Sequence, residues 1–489
     1  MARVVIMGGG VAGHTSASFL NKWLDDSHEI VVVTPNSHWN WIPSNIWVGV
    51  GRMDKEKVIF PLAPLYKKAG ITYHQAKAFA IHPEGSKKSE KPFISIEYTG
   101  QGKEEEREDI SYDYLINATG PQLKFGATQG LGEGSTLGKN TVSVCTAEHA
   151  VHANKELLKI FEIARSGKKQ KILIGTGHGA CTCQGAAFEY ILNIEHEAKR
   201  AGVRENLEIK WISNEPALGD FGMGGMHLGI VGYVMNSKLL GESLFAERGI
   251  TWLLSAHVSK VEEKKVHYEL IDGTMGEEEF DFAMLIPTFG GADFEAQDKK
   301  GKNIYEKLFL PNGFMRVDGD YTSKPYEEWK ASDWPSTYQN PSYKNIFAAG
   351  IAFAPPHPIS KPATSPNGTN ITPAPPRTGM PAGTIGKAVA HSIKNMINDG
   401  DNAKLNAISM AKMGAICVAS AGFGWKEGEV VSFTVYPIVK DFETYPGTGR
   451  DTSRTYGEIG ASGHWIKHAL HYIFIYKAKL KPGWALIPE

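Results

Sequence analysis

The stretch Gly175-Thr-Gly-His-Gly-Ala-Cys-Thr-Cys-Gln-Gly-Ala-Ala-Phe-Glu189 decides the fold. It follows a short apolar run, Lys171-Ile-Leu-Ile174, and leads into an apolar-periodic segment from Phe188 to His196. A strand, a glycine turn and a helix in this order open a dinucleotide-type unit, in which glycines allow the tight turn and the helix N-terminus faces a ligand. The stretch therefore predicts a Rossmann-like unit.

Cys183 makes this glycine turn unusual. A thiol near a helix N-terminus tends toward the thiolate, because the helix dipole favours negative charge. Glu189 follows about one and a half helical turns further on and is a candidate base. Cysteine is also among the most buried residue types. The turn thus predicts either a nucleophilic thiol or a small core residue.

Length and composition exclude several classes of protein. The 489 residues suffice for two or three domains, and the formal net charge of -1 gives no electrostatic footprint for a nucleic acid. Four cysteines are too few for a secreted disulfide scaffold. We expect reactive or buried thiols and no metal site.

The N-terminus passes into a glycine motif at Gly8, which leaves no room for the apolar region of a signal peptide. No apolar run reaches the roughly 18 residues that a membrane span needs. The sequence therefore predicts a protein inside the cell, in solution or lying on a membrane surface.

The first glycine motif is Gly8-Gly-Gly10-Val-Ala-Gly13, directly after the apolar run Arg3–Met7. The G-x-G-x-x-G pattern here has its strand, turn and helix context. The acidic residue that usually holds a ribose is replaced by Thr34 and Asn36 around Pro35. Hydroxyl, amide or backbone groups would hold the ribose, which favours a flavin over NAD.

A second small-residue turn, Ala118-Thr119-Gly120, ends an apolar strand that starts at Tyr112. Small residues let the backbone approach a flavin closely, although an ordinary strand end is the alternative. A similar ending recurs at Asn345–Gly350. We predict an α/β fold with two Rossmann-like dinucleotide-binding domains, divided as 1–164 (FAD-binding, first part), 165–290 (second Rossmann-like domain), 291–397 (FAD-binding, return) and 398–489 (C-terminal region with membrane-interface helices).

Nine of the 26 prolines lie between Pro355 and Pro381, so this segment is predicted to be a long surface loop. Further on, helical spacing from His464 aligns apolar side chains on one stripe, namely Trp465, Ile466, Ala469, Leu470, Ile473 and Phe474, with Lys467, His468 and His471 off it. Aromatic residues and lysines beside an apolar face suit a helix in the membrane interface. Packing on the core or on a second subunit is the alternative.

Five stretches carry a family resemblance: Cys183 to Glu189 in G-A-C-T-C-Q-G-A-A-F-E, Trp41-Ile-Pro-Ser-Asn-Ile-Trp-Val-Gly-Val-Gly51, Ser213-Asn-Glu-Pro216, Gly222-Met-Gly-Gly225, and the ending from Tyr476 to Glu489. Together they resemble membrane-bound sulfide:quinone oxidoreductases, essentially end to end. The resemblance implies FAD in the first domain, sulfide oxidised on one flavin face, and electrons passed to a quinone that enters from the membrane.

The resemblance also assigns thiols. Cys183 matches the first of two family cysteines that carry sulfur, whereas the second is replaced by Ala352, two residues after Gly350. Cys145 matches a cysteine that binds FAD covalently in some members. Cys183 would then act alone or pair with another thiol, and Cys145 suits this better than Cys181, which is only two residues away.

The remaining site predictions follow from the motifs and the resemblance. His149 is a candidate for proton transfer, and Phe423 and Trp425 are candidates for quinone contacts. Arg377 matches a basic family residue near the flavin, with a surface salt bridge as the alternative. The predicted cofactor-binding residues are Gly8, Gly10, Gly13, Thr34, Asn36, Ser44, Asn45, Ala118, Thr119, Gly120, Gly350 and Arg377.

We therefore expect an FAD-dependent enzyme that oxidises sulfide or another small sulfur nucleophile and reduces the membrane quinone pool. It would be a homo-oligomer, peripheral (monotopic) on the cytoplasmic side of the inner membrane. Two alternatives stay open: a type II NADH:quinone oxidoreductase, with Glu215 after the second glycine turn, and a flavin scaffold or sulfur carrier without turnover.

Overall fold

The computed structural model describes residues 1–87, 89–230, 232–423 and 429–489. Within these ranges the α-helices are α1 (Val11–Trp23), α2 (Asn45–Gly49), α3 (Leu62–Ala69), α4 (Ala147–Arg165), α5 (Gln184–Arg200), α6 (Ser237–Glu247), α7 (Tyr305–Leu308), α8 (Gly379–Asp399) and α9 (Ala461–Ala478).

The strands of the same ranges are, in chain order, β1 (Arg3–Met7), β2 (Glu29–Thr34), β3 (His38–Asn40), β4 (Ile59–Pro61), β5 (Thr72–His82), β6 (Phe93–Tyr98), β7 (Arg107–Ser111), β8 (Tyr114–Asn117), β9 (Gln122–Lys124), β10 (Gly132–Glu133), β11 (Thr136–Leu137), β12 (Gln170–Thr176), β13 (Leu207–Ile212), β14 (His227–Ile230), β15 (Tyr233–Asn236), β16 (Ile250–Leu253), β17 (Ala256–Glu262), β18 (Lys265–Leu270), β19 (Met275–Glu279), β20 (Phe282–Ile286), β21 (Thr288–Gly290), β22 (Glu295–Ala296), β23 (Ile346–Ala348), β24 (Ala415–Ala421), β25 (Glu429–Val435) and β26 (Tyr456–Ile459).

The first sheet has the order β23-β8-β1-β2-β5-β6-β7, with β22 beside β5. Its strands β23, β8, β1, β2 and β5 are parallel. Strands β1 and β2 are almost continuously apolar and buried, as expected for parallel strands covered on both faces. The strand, turn and helix predicted around Gly8–Gly13 are present, and α1 packs along α8.

The second sheet is parallel, with the order β16-β13-β12-β20. Strand β12 leads through the second glycine turn into α5, as the sequence predicts. Strands β9 and β21 pair where the chain leaves the first sheet and returns toward it, and β23 then joins β8. The predicted α/β class with two Rossmann-like sheets is confirmed.

The C-terminal region differs from the prediction of a helical region. Its described part contains the three strands β24, β25 and β26, which join β14 and β15 in one sheet, and the single α-helix α9. Ala415–Ala421 forms an extended strand because Ile416 and Val418 prefer that conformation and every residue pairs with β25. Helix α9 packs on β24 and β25.

The proline-rich segment is a loop, as its composition predicts, but only its middle part, around residues 361–370, is largely exposed. Ile359, Ser360 and Ile371 are buried. The Ser360 hydroxyl donates to Asp220, and the Ala374 amide donates to the Cys181 carbonyl. Prolines remove backbone donors, so such a segment can be buried once its few remaining polar groups find partners.

Candidate functional site

The glycines of the first turn bring three segments together. A Cβ atom at Gly8 would lie 2.2 Å from the Ala118 carbonyl oxygen, and one at Gly13 would lie 1.9 Å from the Gly8 carbonyl oxygen. At Gly350, where φ is +66°, a Cβ atom would lie 2.6 Å from the side chain of Ala12. Only glycine permits these approaches, so the predicted turns around residues 8–13, 118–120 and 350 meet at the start of α1.

The same region has an open side that fits FAD. Positions where Cβ atoms of Gly10 and Gly120 would lie have no other atom within 4 Å. Gly10 is the N-cap residue of α1, so the free amides of the first helical turn border this space. Helix N-termini with such room bind pyrophosphate groups. The residues present therefore suit the flavin nucleotide that the sequence predicts.

A matched pair of glycine variants tests this assignment. We expect Gly10→Ala to fold normally and to lose FAD, because its methyl group enters the open space. Gly13→Ala should lower the free energy of unfolding by about 1–3 kcal/mol or more, since its methyl group meets backbone. FAD absorbance per protein and urea unfolding measure the two effects, and full FAD in Gly10→Ala would contradict the assignment.

Thr34 and Asn36 lie beside the first turn at the end of β2. Thr34 is buried, and its hydroxyl accepts a hydrogen bond of 3.4 Å from the Asn36 amide. Asn36 is exposed. Thr119 donates through both its amide and its hydroxyl to Asn117, which fixes the Ala118–Gly120 turn. These residues border the open side through hydroxyl, amide and backbone groups.

The side chains of Ser44 and Asn45 bind other parts of the protein. Ser44 is 2.9 Å from His471 of α9, and Asn45 donates to the Val144 carbonyl oxygen at 3.3 Å. The segment that carries them therefore joins α9 to the segment before α4 that carries Cys145. Both side chains are fully committed to these contacts, so they position the segment.

Arg377 is buried, which rules out the alternative of a surface salt bridge. Its guanidinium donates to the carbonyl oxygens of Ile351 and Phe353 and lies 3.8 Å above the ring of Phe314. Burial lowers the pKa of Arg377 to about 9. A cation is thus fixed directly after the Gly350 turn of the first sheet, as the resemblance implies.

Cys183 caps α5 in a left-handed conformation, with φ 66° and ψ 30°. This backbone is unusual for a residue other than glycine, and such strain clusters at functional sites. The neighbouring Thr182 and Gln184 hold it through bonds to Pro375 and Asn214. The thiol points to the Arg377 carbonyl oxygen at 3.7 Å. Cys183 therefore lies where the second glycine turn meets the flavin side.

The burial of Cys183 opposes the thiolate that its position at a helix N-terminus favours. Burial, with a smaller contribution from the nearby Cys145, raises the pKa of this thiol to about 12. The helix dipole is weaker than the cost of burying a negative charge. The thiol is protonated at neutral pH until a ligand or base changes its surroundings.

The other candidate site residues, Cys145, Cys181 and His149, lie in different surroundings. Cys145 precedes α4, and burial raises its pKa as well. Cys181 is fully buried and donates to the Ile286 carbonyl oxygen at 3.0 Å, which makes it a core residue. His149 packs against Phe125, and its Nδ1 atom has no hydrogen-bond partner in the described part of the chain.

Glu189 forms a buried ion pair that the sequence does not reveal. Its carboxylate accepts hydrogen bonds from the Lys467 ammonium group of α9 and from the amide and hydroxyl of Ser420 in β24. Lys467 also lies 4.6 Å from the ring of Trp47. This arrangement ties α5 to the C-terminal sheet and helix. Glu189 is bound by these partners, and its role as a candidate base stays a prediction.

The second glycine turn is closed by the chain itself. A Cβ atom at Gly179 would lie 2.2 Å from the Asn370 carbonyl oxygen, and one at Gly177 would lie 2.8 Å from Leu131. The Gly179 amide donates to His257, and the Asn214 side chain donates to the carbonyl oxygens of Gly179 and Cys181. The groups that would hold a second dinucleotide are therefore occupied.

Glu215, the candidate ribose ligand of a second dinucleotide, is buried under this turn. Its carboxyl group binds the Ser213 hydroxyl and the Phe221 amide, both at 2.8 Å. Burial raises its pKa from 4.5 to about 8, with the charge of Asp220 adding to the shift. The carboxyl group faces the interior, where burial favours its neutral form.

This shift predicts a pH effect. Below its ordinary pKa of 4.5, Glu215 is protonated in both the folded and the unfolded chain. As the pH rises toward 8, only the unfolded chain loses the proton, so the wild type loses stability. We expect Glu215→Gln to gain on the order of 2–4 kcal/mol in unfolding free energy, relative to wild type, between pH 5 and pH 8. Identical pH profiles in urea unfolding would contradict this.

Sequence reasoning missed Lys467, Ser420 and Asn214. A signal for Lys467 was present, because polar residues recur at helical spacing along α9: His464, Lys467, His468 and His471. All four are buried. A polar stripe with this spacing indicates a buried polar face. Trp425 lies outside the described residues, and Phe423 packs edge-on against Trp47.

An open flavin-type turn, a closed second turn and a cysteine at the cap of the second helix define an FAD-dependent oxidoreductase of the two-dinucleotide-fold class. The chain is 32% identical to the sulfide-quinone reductase of Aquifex aeolicus over 477 residues, which cover 97% of this chain and 91% of that protein. It belongs to the sulfide:quinone oxidoreductase family.

Other comparisons agree with this assignment. The crystal structure of the sulfide:quinone oxidoreductase from Aquifex aeolicus matches with a TM-score of 0.75 and 30% identity, covering 98% of this chain and 92% of that one. The mitochondrial sulfide:quinone oxidoreductase of Schizosaccharomyces pombe is 24% identical over 71% of this chain and 68% of its own. NDH2 from Plasmodium falciparum, in complex with NADH, shares the fold at 14% identity, TM-score 0.62 and coverage of 98% and 96%. No family model matches the chain.

Proposed function

We propose that this protein oxidises sulfide to sulfane sulfur, with FAD as its redox centre and a membrane quinone as electron acceptor. The observation that carries the proposal is the position of Cys183, whose thiol lies against the Arg377 backbone at the junction of the two dinucleotide-type units. FAD, when bound, accepts two electrons from the sulfur and passes them to the quinone.

The chain's own residues have distinct parts in this proposal. The turns at residues 8–13, 118–120 and 350 hold FAD, with Thr34 and Asn36 toward its ribose. Cys183 is the nucleophile that would carry the substrate sulfur, and the sulfur–sulfur bond would form as bound FAD takes up two electrons. Arg377 keeps positive charge beside the flavin and favours its reduced, anionic form. Glu189 positions α5 through Lys467, and the unpartnered Nδ1 of His149 is available for proton transfer.

The closed second turn argues against the NADH alternative. NADH would have to displace Asn370 from Gly179 and expose Glu215, which is bound inside the protein. The same segment holds Thr182 through Pro375, next to Cys183. Opening the turn for NADH would therefore disturb the thiol. The strained backbone of Cys183, which holds its thiol in a fixed place, likewise favours catalytic turnover over a scaffold role.

Helix α9 supports attachment to a membrane. Trp465, Tyr472 and Ile473 are 47%, 55% and 41% exposed, whereas Lys467 and His471 are 5% and 2% exposed. A helix with its polar face buried and its aromatic, apolar face outside suits the membrane interface. None of the helices in the described ranges is long and apolar enough to cross a bilayer. We propose a peripheral, monotopic attachment through this face.

An aromatic cavity beside α9 is a candidate path for the quinone. Trp39, Trp41 and Phe474 line it between α1 and the end of α9, and Trp41 stacks on Phe474 at 4.8 Å. The Trp41 ring also lies 4.0 Å from the Cβ position of Gly379, at the start of α8. A quinone that leaves the membrane beside the exposed face of α9 would therefore reach the first unit among flat aromatic rings.

Anaerobic turnover with a soluble quinone tests the reaction. The expected result is quinone reduction that requires sulfide and does not proceed when NADH replaces sulfide. The proposal would be refuted if the flavin-loaded protein reduced quinone with NADH. It would also be refuted if the protein reduced no quinone with either sulfide or NADH.

Vesicle flotation tests the attachment. We expect the wild type to float with vesicles of bacterial polar lipids, and Ile466→Glu with Ile473→Glu to stay behind. Leu158→Glu, a change at an even more exposed apolar residue of α4, is the control and should float. Normal flotation of the α9 variant, with a changed mass in light scattering, would show that α9 covers a second subunit instead.

A further inference from the structure

Residues 480–489 form a strap that leaves the end of α9 and contacts both α1 and α8. The Trp484 ring of the strap lies 4.9 Å from the Phe19 ring of α1. At α8, a carboxylate oxygen of Glu489 lies 2.8 Å from the Cβ position of Gly383. The strap therefore bridges the two helices that begin beside the site assigned to FAD.

One buried ammonium group fastens the far end of the strap. Lys477, in the last turn of α9, donates to the Glu489 carboxylate at 2.6 Å. The same ammonium group donates to the carbonyl oxygens of Ile487 and Pro488 at 2.7 and 3.1 Å. The side chains of the ion pair are only 7% and 6% exposed. A buried ammonium group that loses its counter-ion is strongly unfavourable, so loss of Glu489 should release this end.

The near end of the strap is joined to α1. The Nε2 atom of His14 lies 2.8 Å from the carbonyl oxygen of Ala478, the last residue of α9. His14 is buried about one turn beyond Gly10, the N-cap residue of α1. Gly383 lies about one turn into α8, which begins two residues after Arg377. The strap and the end of α9 thus fix the first turns of both helices.

The middle of the strap is held less firmly. The aromatic cavity beside α9 reaches the strap, and two residues that line it, Ser18 and Trp39, are buried with a hydroxyl and an indole N–H that have no partner among the described residues. Leu480, where the strap leaves α9, has a φ of 49°. This left-handed conformation is strained for leucine, and such strain clusters in switch regions. Fixed ends, a cavity and a strained start suit a segment that opens as a unit.

From this geometry we infer that the strap is a latch that retains FAD. While Glu489 binds Lys477, the first turns of α1 and α8 keep their relative position, and the free amides of α1 stay aimed at the pyrophosphate. When the ion pair opens, the strap moves about Leu480 and FAD leaves faster. Glu489 and Lys477 are positioning residues, because they act on the cofactor through the two helices. The inference rests on the FAD site of the proposed function and not on the oxidation of sulfide.

An engineered disulfide tests the latch directly. The Cβ position of Gly383 lies 3.7 Å from the Cβ atom of Glu489, which suits a disulfide. Gly383→Cys with Glu489→Cys removes the ion pair and allows this bond to replace it. With the bond reduced, we expect FAD release, followed by flavin fluorescence after dilution, to be about tenfold faster than in the wild type or more. With the bond formed, release should be no faster than in the wild type. Equal release in both states would overturn the inference.

Single variants measure the same effect without a disulfide. Glu489→Gln should also release FAD about tenfold faster or more, because Lys477 loses its counter-ion. Lys477→Arg keeps the positive charge and should retain FAD nearly as the wild type does. Glu443→Gln is the matched control, since it removes a paired carboxylate on the surface, and should release FAD at the wild-type rate. Release from Glu489→Gln at the wild-type rate would refute the latch.

Hydrogen exchange separates the latch from the assignment of the cofactor. In the double cysteine variant stripped of FAD, the amides in the first turn of α1 should exchange faster with the bond reduced than with the bond formed. Equal exchange in the two states would show that the strap does not act on α1 and would refute the latch. A clear difference in a protein that binds no FAD would refute the FAD site and leave the action of the strap on α1 established.

Discussion

Replacing Cys183 with serine is expected to slow the reduction of the flavin by sulfide by a factor of about 10³ or more. The serine hydroxyl cannot form the sulfur–sulfur bond that carries the substrate's electrons to the flavin. The helix cap and the backbone bonds of Thr182 and Gln184 do not involve the thiol, so the variant should fold and bind FAD normally. Stopped-flow absorbance of the flavin band after anaerobic mixing with sulfide measures the rate.

Cys181→Ser supplies the control for a general effect of removing a thiol from this turn. Its residue lies two positions away but donates into the core at Ile286. We expect it to reduce at the wild-type rate. If Cys183→Ser also reduces at that rate with full FAD, sulfide reaches the flavin without the thiol, and the nucleophilic role of Cys183 is refuted.

The second large effect concerns the ion pair of Glu189 and Lys467. Lys467→Met is expected to lower the free energy of unfolding by about 3–5 kcal/mol, because it leaves the Glu189 carboxylate buried without its cation. The double variant Lys467→Met with Glu189→Gln should recover most of this loss, since glutamine is neutral and still accepts a hydrogen bond from Ser420. Urea unfolding followed by tryptophan fluorescence measures both.

Lys159→Met is the matched control for the ion pair, because Lys159 pairs with Glu156 on the exposed face of α4. Exposed pairs contribute about 0–1 kcal/mol, so this variant should unfold almost as the wild type does. A similarly small loss for Lys467→Met would mean that the buried lysine is neutral or hydrated, and that α9 is held by other contacts.

Patterns within one element allowed the first unit to be predicted from sequence. The G-x-G-x-x-G motif at residues 8–13 needs only its own strand and helix to be recognised, and its steric reason is visible at Gly8 and Gly13. The same holds for the second strand, turn and helix. Hydrophobic runs bounded by glycines fix such units before any long-range contact forms.

Predictions that depended on distant partners were less complete. The thiolate expected at Cys183 considered only the dipole of its helix, whereas the surrounding units bury the thiol and raise its pKa. The proline-rich segment was predicted to be exposed because its partners, Asp220 and Cys181, are more than a hundred residues away.

The hydrophobic pattern of helix α9 predicted its two faces but not which of them is buried. The sequence placed Trp465, Ile466 and Ile473 on one stripe and the polar residues off it, and the structure keeps this division. Which stripe faces the protein could not be predicted, because the answer depends on Glu189 and Ser44 on other elements. A buried cation needs a buried partner, and sequence does not show where that partner lies.

Anaerobic titration of the FAD-loaded protein with sulfide tests the central claim most directly. The account predicts that sulfide bleaches the long-wavelength flavin band, that a soluble quinone restores it, and that NADH in a parallel titration leaves it unchanged. A flavin that stays oxidised in sulfide, or that NADH bleaches, would contradict the account.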